Sequence, residues 1–168
     1  MNNQQVIIGI MGPGENASKE DCALAFEVGK ILASEKYIVL TGGRNCGVMN
    51  AALKGAKEAR GTTIGILPGN NTSAMSRYVD IPIITGMGNA RNNINILSSQ
   101  VVVTIGEGPG TISEMALSLK NKKPVIALNS STEATAMFRR YSKKLFATID
   151  RFNSKEFLAL LNSCIHET

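Results

Sequence analysis

Residues 101–114 read Val101-Val102-Val103-Thr104-Ile105-Gly106-Glu107-Gly108-Pro109-Gly110-Thr111-Ile112-Ser113-Glu114. Five consecutive β-branched residues, four of them aliphatic, predict a strand buried on both faces. Glycines at 106, 108 and 110 with Pro109 stop it, and an apolar helical pattern then runs over 111–120. Strand, glycine-rich turn, helix is the unit from which a doubly wound α/β sheet is assembled.

The unit recurs on either side. Upstream, 6–10 is an apolar strand, and Ser18 opens a helix to Ser34 with Asp21 in capping-box position. A strand at 37–40 leads to an Ala-rich helix at 48–59, for which Gly61 is the expected C′ residue. A strand at 62–67 stops at Pro68-Gly69. Strand 78–84 carries Pro82, the mark of a short or edge element, and a helix follows from 89 or 90 to 99. Downstream, strands at 124–128 and 146–149 alternate with helices at 132–144 and 154–162. The expected fold is α/β, a doubly wound, mainly parallel sheet with helices on both faces. At 168 residues it forms one domain over 1–168.

Composition narrows the function. Apolar residues are 43% and charged residues 18%, enough for a core and unlike a disordered chain. No run of 18 apolar residues exists, so no membrane helix is expected. The stretch 1–5 lacks a positive n-region and 6–11 is too short for a signal h-region, which predicts a cytoplasmic protein. Three dispersed cysteines, Cys22, Cys46 and Cys164, form neither a disulfide framework nor a metal site, so no metal is expected. The net charge of +5 raises nucleic acid as a partner, but aromatics are 5%, Trp is absent and the cations are scattered. A small anionic ligand is the better match, with no nucleic acid and no membrane.

Glycine placement gives that ligand an address. Gly12, Gly14, Gly42, Gly43, Gly47, Gly69, Gly86, Gly88, Gly106, Gly108 and Gly110 all follow a predicted strand and precede a helix. In a doubly wound sheet those turns share the carboxyl edge of the strands, where ligands bind. Backbone amides and helix N-termini converge there on an anion, phosphate above all. Two common phosphate motifs are only nearly met, which disfavours both. Gly42-x4-Gly47 has P-loop spacing, but Val48-Met49 replaces the lysine and hydroxyl that ATP hydrolysis needs. Residues 106–110 lack GxGxxG spacing, and Asn129 stands where a nicotinamide enzyme needs an acid.

Gly88-Asn89-Ala90-Arg91-Asn92, the strand 101–105 and Gly108-Pro109-Gly110-Thr111-Ile112-Ser113-Glu114 together resemble the Lonely-guy and "possible lysine decarboxylase" (SLOG-like) superfamily. Gly42-Gly43, Gly47-Val48-Met49 and Leu67-Pro68 match in the same order. Within it, the short chain and the Gly-Asn-Ala-Arg-Asn string are most similar to the molybdenum cofactor carrier branch. The resemblance implies a Rossmann-like homo-oligomer, dimer or tetramer. It implies either a carrier of molybdenum cofactor (molybdopterin) or a related phosphorylated pterin or nucleotide, without a resident catalytic cofactor, or a nucleoside 5′-monophosphate phosphoribohydrolase. Three positions depart from the superfamily pattern: Gly106 for Pro, Glu107 for Gly, and Asn92 for the Lys usual in the hydrolases. A carboxylate at Glu107 beside a phosphate turn would repel a phosphate unless it turns away, and the sequence does not give its direction; the departures count against hydrolysis more than against the fold.

The candidate ligand residues are therefore Gly12, Gly14, Gly42, Gly43, Arg91, Gly108, Gly110, Thr111 and Glu114. No catalytic residue is expected of a carrier; a hydrolase would use Arg91 and Glu114. Each has a structural alternative. Thr111-x-x-Glu114 also reads as a capping box, and Arg91 could pair with an acid, Glu114 included. Cys46 lies in the second turn as a contact or a small turn residue. Met11, Met49, Met87 and Met115 read as gap-fillers. His166 reads as solvated, without a triad. Arg139, Arg140, Lys143 and Lys144 form a basic strip, either a solvated face or the docking surface of an interaction scaffold.

Overall fold

The structure, a computed structural model, describes residues 5–166. Residues 1–4, read above as lacking a leader's charge, and 167–168 lie outside the described residues.

Seven strands form one sheet: β1 (Ile7–Met11), β2 (Ile38–Thr41), β3 (Thr63–Leu67), β4 (Ile81–Ile84), β5 (Val101–Ile105), β6 (Val125–Leu128) and β7 (Phe146–Ile149). Their order is β4-β3-β2-β1-β5-β6-β7, and all six pairings are parallel. The chain runs outward from β1 to β4, then returns to β5 on the other side of β1. That reversal is the topological switch of a Rossmann-like sheet, which opens a crevice past the carboxyl ends of the two strands. Met11 pairs with Thr104 across it, so the turns after β1 and β5 leave the sheet side by side.

Helices cover both faces. α1 (Lys19–Ser34), α2 (Gly47–Glu58) and α6 (Ser154–His166) pack Val28, Leu32, Val48, Ala52, Phe157 and Leu161 on Ile8, Ile10, Val39, Val103 and Ile126. α3 (Asn92–Leu97), α4 (Pro109–Lys120) and α5 (Thr132–Tyr141) set Ile96, Met115 and Phe138 against Leu40, Ile66, Val102 and Phe146. Strand side chains alternate between these two cores, which is why the strands read as unbroken apolar runs. Among the described residues, no helix is long and apolar enough to cross a membrane.

The capping box at Ser18 forms as predicted, with Ser18 Oγ accepting from Asp21 N and Asp21 Oδ2 from Ser18 N. Four expectations change. The helix at 89–99 is split: a 3-10 turn, Gly88–Arg91, precedes α3. α5 ends at Tyr141, because Ser142 turns extended and its Oγ accepts from Leu145 N. Residues 78–80 are a brace rather than strand: Thr63 Oγ1 donates to the Tyr78 carbonyl at 2.6 Å, and Asp80 accepts from Thr63 N at 3.0 Å and Lys57 Nζ at 2.8 Å. Gly61 is not the left-handed residue after α2. Arg60 takes that place (φ 58°), and the Gly61 and Arg60 amides donate to the carbonyls of Ala56 and Lys57 in a Schellman pair. Lys36 and Lys122 end α1 and α4 in the same way.

Candidate functional site

At the β1/β5 switch lies a cleft of about 440 Å³, within the range of small-molecule sites. The turn after β1 supplies Gly12, Pro13, Gly14, Glu15 and Asn16. The turn after β2 supplies Gly42 and Arg44, and α2 supplies Met49. The 3-10 turn and the start of α3 supply Asn89, Arg91 and Asn92. Glu107 to Thr111 and Glu114 complete it from β5 and α4. Of the nine sequence candidates, eight line this cleft. Gly43 does not: its φ of +72° and a Cβ position 2.9 Å from Gly65 Cα make it a packing residue between β2 and β3.

The anion-binding element is the α4 N-terminus. Gly108 is its N-cap, no side chain caps it, and Pro109 at the first helical position has no N–H. The Gly110 and Thr111 amides are left as the uncommitted donors of the first turn. The capping-box reading of Thr111-x-x-Glu114 is thereby overturned. The helix starts two residues before Thr111, Thr111 Oγ1 is buried without a hydrogen-bond partner, and Glu114 lies a turn inside. Ser113 Oγ donates to the Gly110 carbonyl and accepts from Asn92 Nδ2, which ties α4 to α3.

Arg91 is 8% exposed, and its Nε has no partner. Arg91 is the last residue of the 3-10 turn, and its guanidinium packs on Gly42, the residue after β2. A Cβ there would sit 2.5 Å from Nη2 and 2.7 Å from Cζ. The expected alternative, an ion pair with Glu114, is not formed within 4 Å; ion pairs do form elsewhere, as Lys30–Glu58, Arg44–Glu15 and Lys57–Asp80. Burial pulls the Arg91 pKa down, while the charge of Glu114 pulls it back up.

The carboxylates divide the cleft's charge unevenly. Glu114 is 5% exposed, and burial pushes its pKa up to about 7 against the opposing pull of Asn95 and Arg91. Its Oε1 accepts from Asn95 Nδ2 at 3.0 Å, and Asn95 Oδ1 has no partner. The direction of Glu107, open from sequence, is set by α5: its Oε1 accepts from Ser130 Oγ at 2.9 Å and from Ser131 N, the N-cap of α5. Burial opposes its charge, but those bonds outweigh it and hold its pKa below the usual carboxylate value. Glu15 is neutralised by Arg44 at 2.8 Å. Gly106, with φ +67° and a Cβ position 2.7 Å from the Asp21 carboxylate, leaves room for Asp21, whose Oδ1 accepts from Asn129 Nδ2 at 2.6 Å. What remains is a buried guanidinium with unused donors beside two unused helix amides. That is a receptor for a phosphate or a similar anion.

Asn95 and Arg44 were missed from sequence. Asn95 stands at i+4 from Arg91, on the same helical face and between Ile94 and Ile96, which is the signal that could have found it. Arg44 occupies the turn in which the P-loop lysine was found wanting. Met11 and Met49 reach the cleft wall, and Met115 is core, but Met87 is half exposed and fills no gap. Cys46 lies beside the wall, its Sγ 3.2 Å from the Cβ position of Gly14. His166 is exposed. Among the described residues, no group of His, Cys, Asp and Glu could hold a metal ion.

Comparison with known proteins places the chain. A family model described as the SLOG cluster4 family matches residues 5–157. The solved structure of the molybdenum cofactor binding protein from the phototrophic bacterium Rippkaea orientalis is 48% identical. It covers 98% of this chain and 99% of that one, with a TM-score of 0.93. The molybdenum cofactor carrier protein of Chlamydomonas reinhardtii is 45% identical, covers 97% and 99%, and has a TM-score of 0.90. An uncharacterized protein of Archaeoglobus fulgidus is 40% identical over 121 residues, 72% of this chain and 78% of that one.

Proposed function

Since this chain belongs to the SLOG cluster4 family, we propose that it binds and carries molybdenum cofactor or a closely related phosphorylated pterin in the switch-point cleft. The observation that carries this reading is Arg91: a buried guanidinium with an unpartnered Nε, facing a helix N-terminus that nothing caps. In the proposed complex the phosphate lies on the Gly110 and Thr111 amides and the Thr111 hydroxyl, with Arg91 as its counter-charge and Gly12, Gly14, Gly42 and Gly108 as close backbone walls. Glu114 and Asn95 offer a carboxyl and an amide to the polar edge of the heterocycle. The Rippkaea and Chlamydomonas proteins, described as binding or carrying molybdenum cofactor, support the choice of cargo.

The rival reading, phosphoribohydrolase, draws on Glu114, whose pKa of about 7 suits a general acid. Glycosidic hydrolysis ordinarily uses a second carboxyl group, and Glu107, the nearest by sequence, is engaged by Ser130 and Ser131. Incubation with nucleoside 5′-monophosphates tests both. The carrier reading expects tight binding of a phosphorylated pterin and no release of base; turnover on the order of 1 per second would overturn it.

The carrier also works as a homo-oligomer in the cytoplasm, on this reading. Ile81, Ile83 and Ile84 of the edge strand β4, with Met87 before the 3-10 turn and Leu97 at the end of α3, are each 41–52% exposed, and exposed apolar surface of this kind is what association covers. Light scattering should give a dimer or tetramer, and Ile83→Lys should give a monomer.

A further inference from the structure

The second edge strand of the sheet, β7, is built differently from β4. Pro82 lies within β4 and has no N–H to offer a further strand, a common defence of an exposed edge. β7 reads Phe146-Ala147-Thr148-Ile149, with neither proline nor charge, and no described strand pairs with its outer side. Val125 N donates to the Leu145 carbonyl. A parallel ladder takes alternate residues, so the amides and carbonyls of Phe146 and Thr148 face outward. Along this edge runs a groove of about 730 Å³ between α5 and α6. Arg139 and Lys143 line one wall, and Glu156, Ala159 and Leu160 line the other. It shares no lining residue with the cofactor cleft.

Charge names the occupant. Residues 139–144 hold Arg139, Arg140, Lys143 and Lys144 and no acid. Arg139 is fixed over the edge by an Nη2 bond to Thr148 Oγ1 at 2.7 Å. Arg139, in the last turn of α5, and Lys143, just beyond its extended C-cap Ser142, both line this wall. Side chains two apart on an extended strand point to the same face, so carboxylates at alternate positions would face the wall that carries both cations. The intervening side chains would then face Ala159 and Leu160, with Glu156 disfavouring an acid on that side. We propose that β7 accepts an extended acidic segment of a partner protein by strand addition, with acids alternating with small apolar residues. Main-chain bonds to Phe146 and Thr148 give affinity, and Arg139 and Lys143 give selectivity.

The test uses the full chain and a fluorescein-labelled eight-residue peptide alternating Asp and Val, with a Lys/Val peptide and a single-stranded oligonucleotide as controls. The expected result is saturable binding of the Asp/Val peptide alone, weakened by salt. It should slow amide exchange at Phe146 and Thr148, weaken about threefold in Lys143→Glu and weaken at least tenfold in Arg139→Glu/Lys143→Glu. No binding, equal binding of the Lys/Val peptide, binding of the oligonucleotide instead, or protection away from β7 would each overturn the proposal. Loss of cofactor binding with peptide binding intact would strike only the function proposed above.

Discussion

Replacing Arg91 by methionine separates what the residue does for the ligand from what it does to the fold. Methionine keeps an unbranched chain over Gly42 and removes the charge. A charge-assisted hydrogen bond contributes about 1.5–3 kcal/mol. Loss of a bidentate phosphate contact should therefore cost about 2–4 kcal/mol of binding, roughly 30- to 700-fold in Kd. The free protein should respond in the opposite direction. A guanidinium 8% exposed with an orphan Nε carries a desolvation penalty that no ion pair within 4 Å offsets. Its removal should raise unfolding stability by about 1 kcal/mol, or about 2–4 °C in Tm for a domain of this size. Titration calorimetry with inorganic phosphate and a phosphorylated pterin gives the first quantity, and thermal unfolding of unligated protein gives the second. A variant that binds both ligands like the wild type and melts lower would refute the reasoning, because Arg91 would then be a structural residue.

Glu114 sets a pH dependence. Its folded pKa of about 7 stands above the ordinary 4.5, so its contribution to stability is fully present below pH 4.5 and is lost as pH rises to about 7. The loss is on the order of 3 kcal/mol. Denaturant titrations of Glu114→Gln against wild type should show that slope flattened in the variant; an unchanged slope would contradict the burial argument. Gly42→Ala should leave the secondary structure intact by circular dichroism, displace the Arg91 guanidinium, and weaken phosphate binding at least tenfold by calorimetry. Lys122→Gly should stabilise the protein by about 1 kcal/mol in urea, because Lys122 holds the left-handed C′ position of α4 (φ 57°).

The alternating elements were legible because a parallel sheet buried on both faces writes each strand as an apolar run, and 101–105 was the clearest of these. Strand order was not legible. It depends on which side of β1 the chain returns to, and the residues of β5 are equally apolar in either place. The rim of glycines located the cleft, since backbone approach needs them, but the same rule also admitted Gly43, whose lack of a side chain serves strand packing. Local signals failed where tertiary contacts decide. Thr111-x-x-Glu114 fits a cap, yet Pro109 starts the helix earlier and sends Glu114 inward. Gly61 looked like a C′ residue, yet Arg60 takes the strain. The direction of Glu107 was not legible because the donor that holds its carboxylate, the N–H of the α5 N-cap Ser131, is 24 residues away in sequence.

The most direct measurement is mass spectrometry of small molecules released from the protein purified from its own cells, wild type beside Arg91→Met. The account predicts a phosphorylated pterin at one per chain in the wild type and its loss from the variant. A wild type without any phosphate-bearing ligand, or the same ligand retained at full occupancy by Arg91→Met, would contradict it.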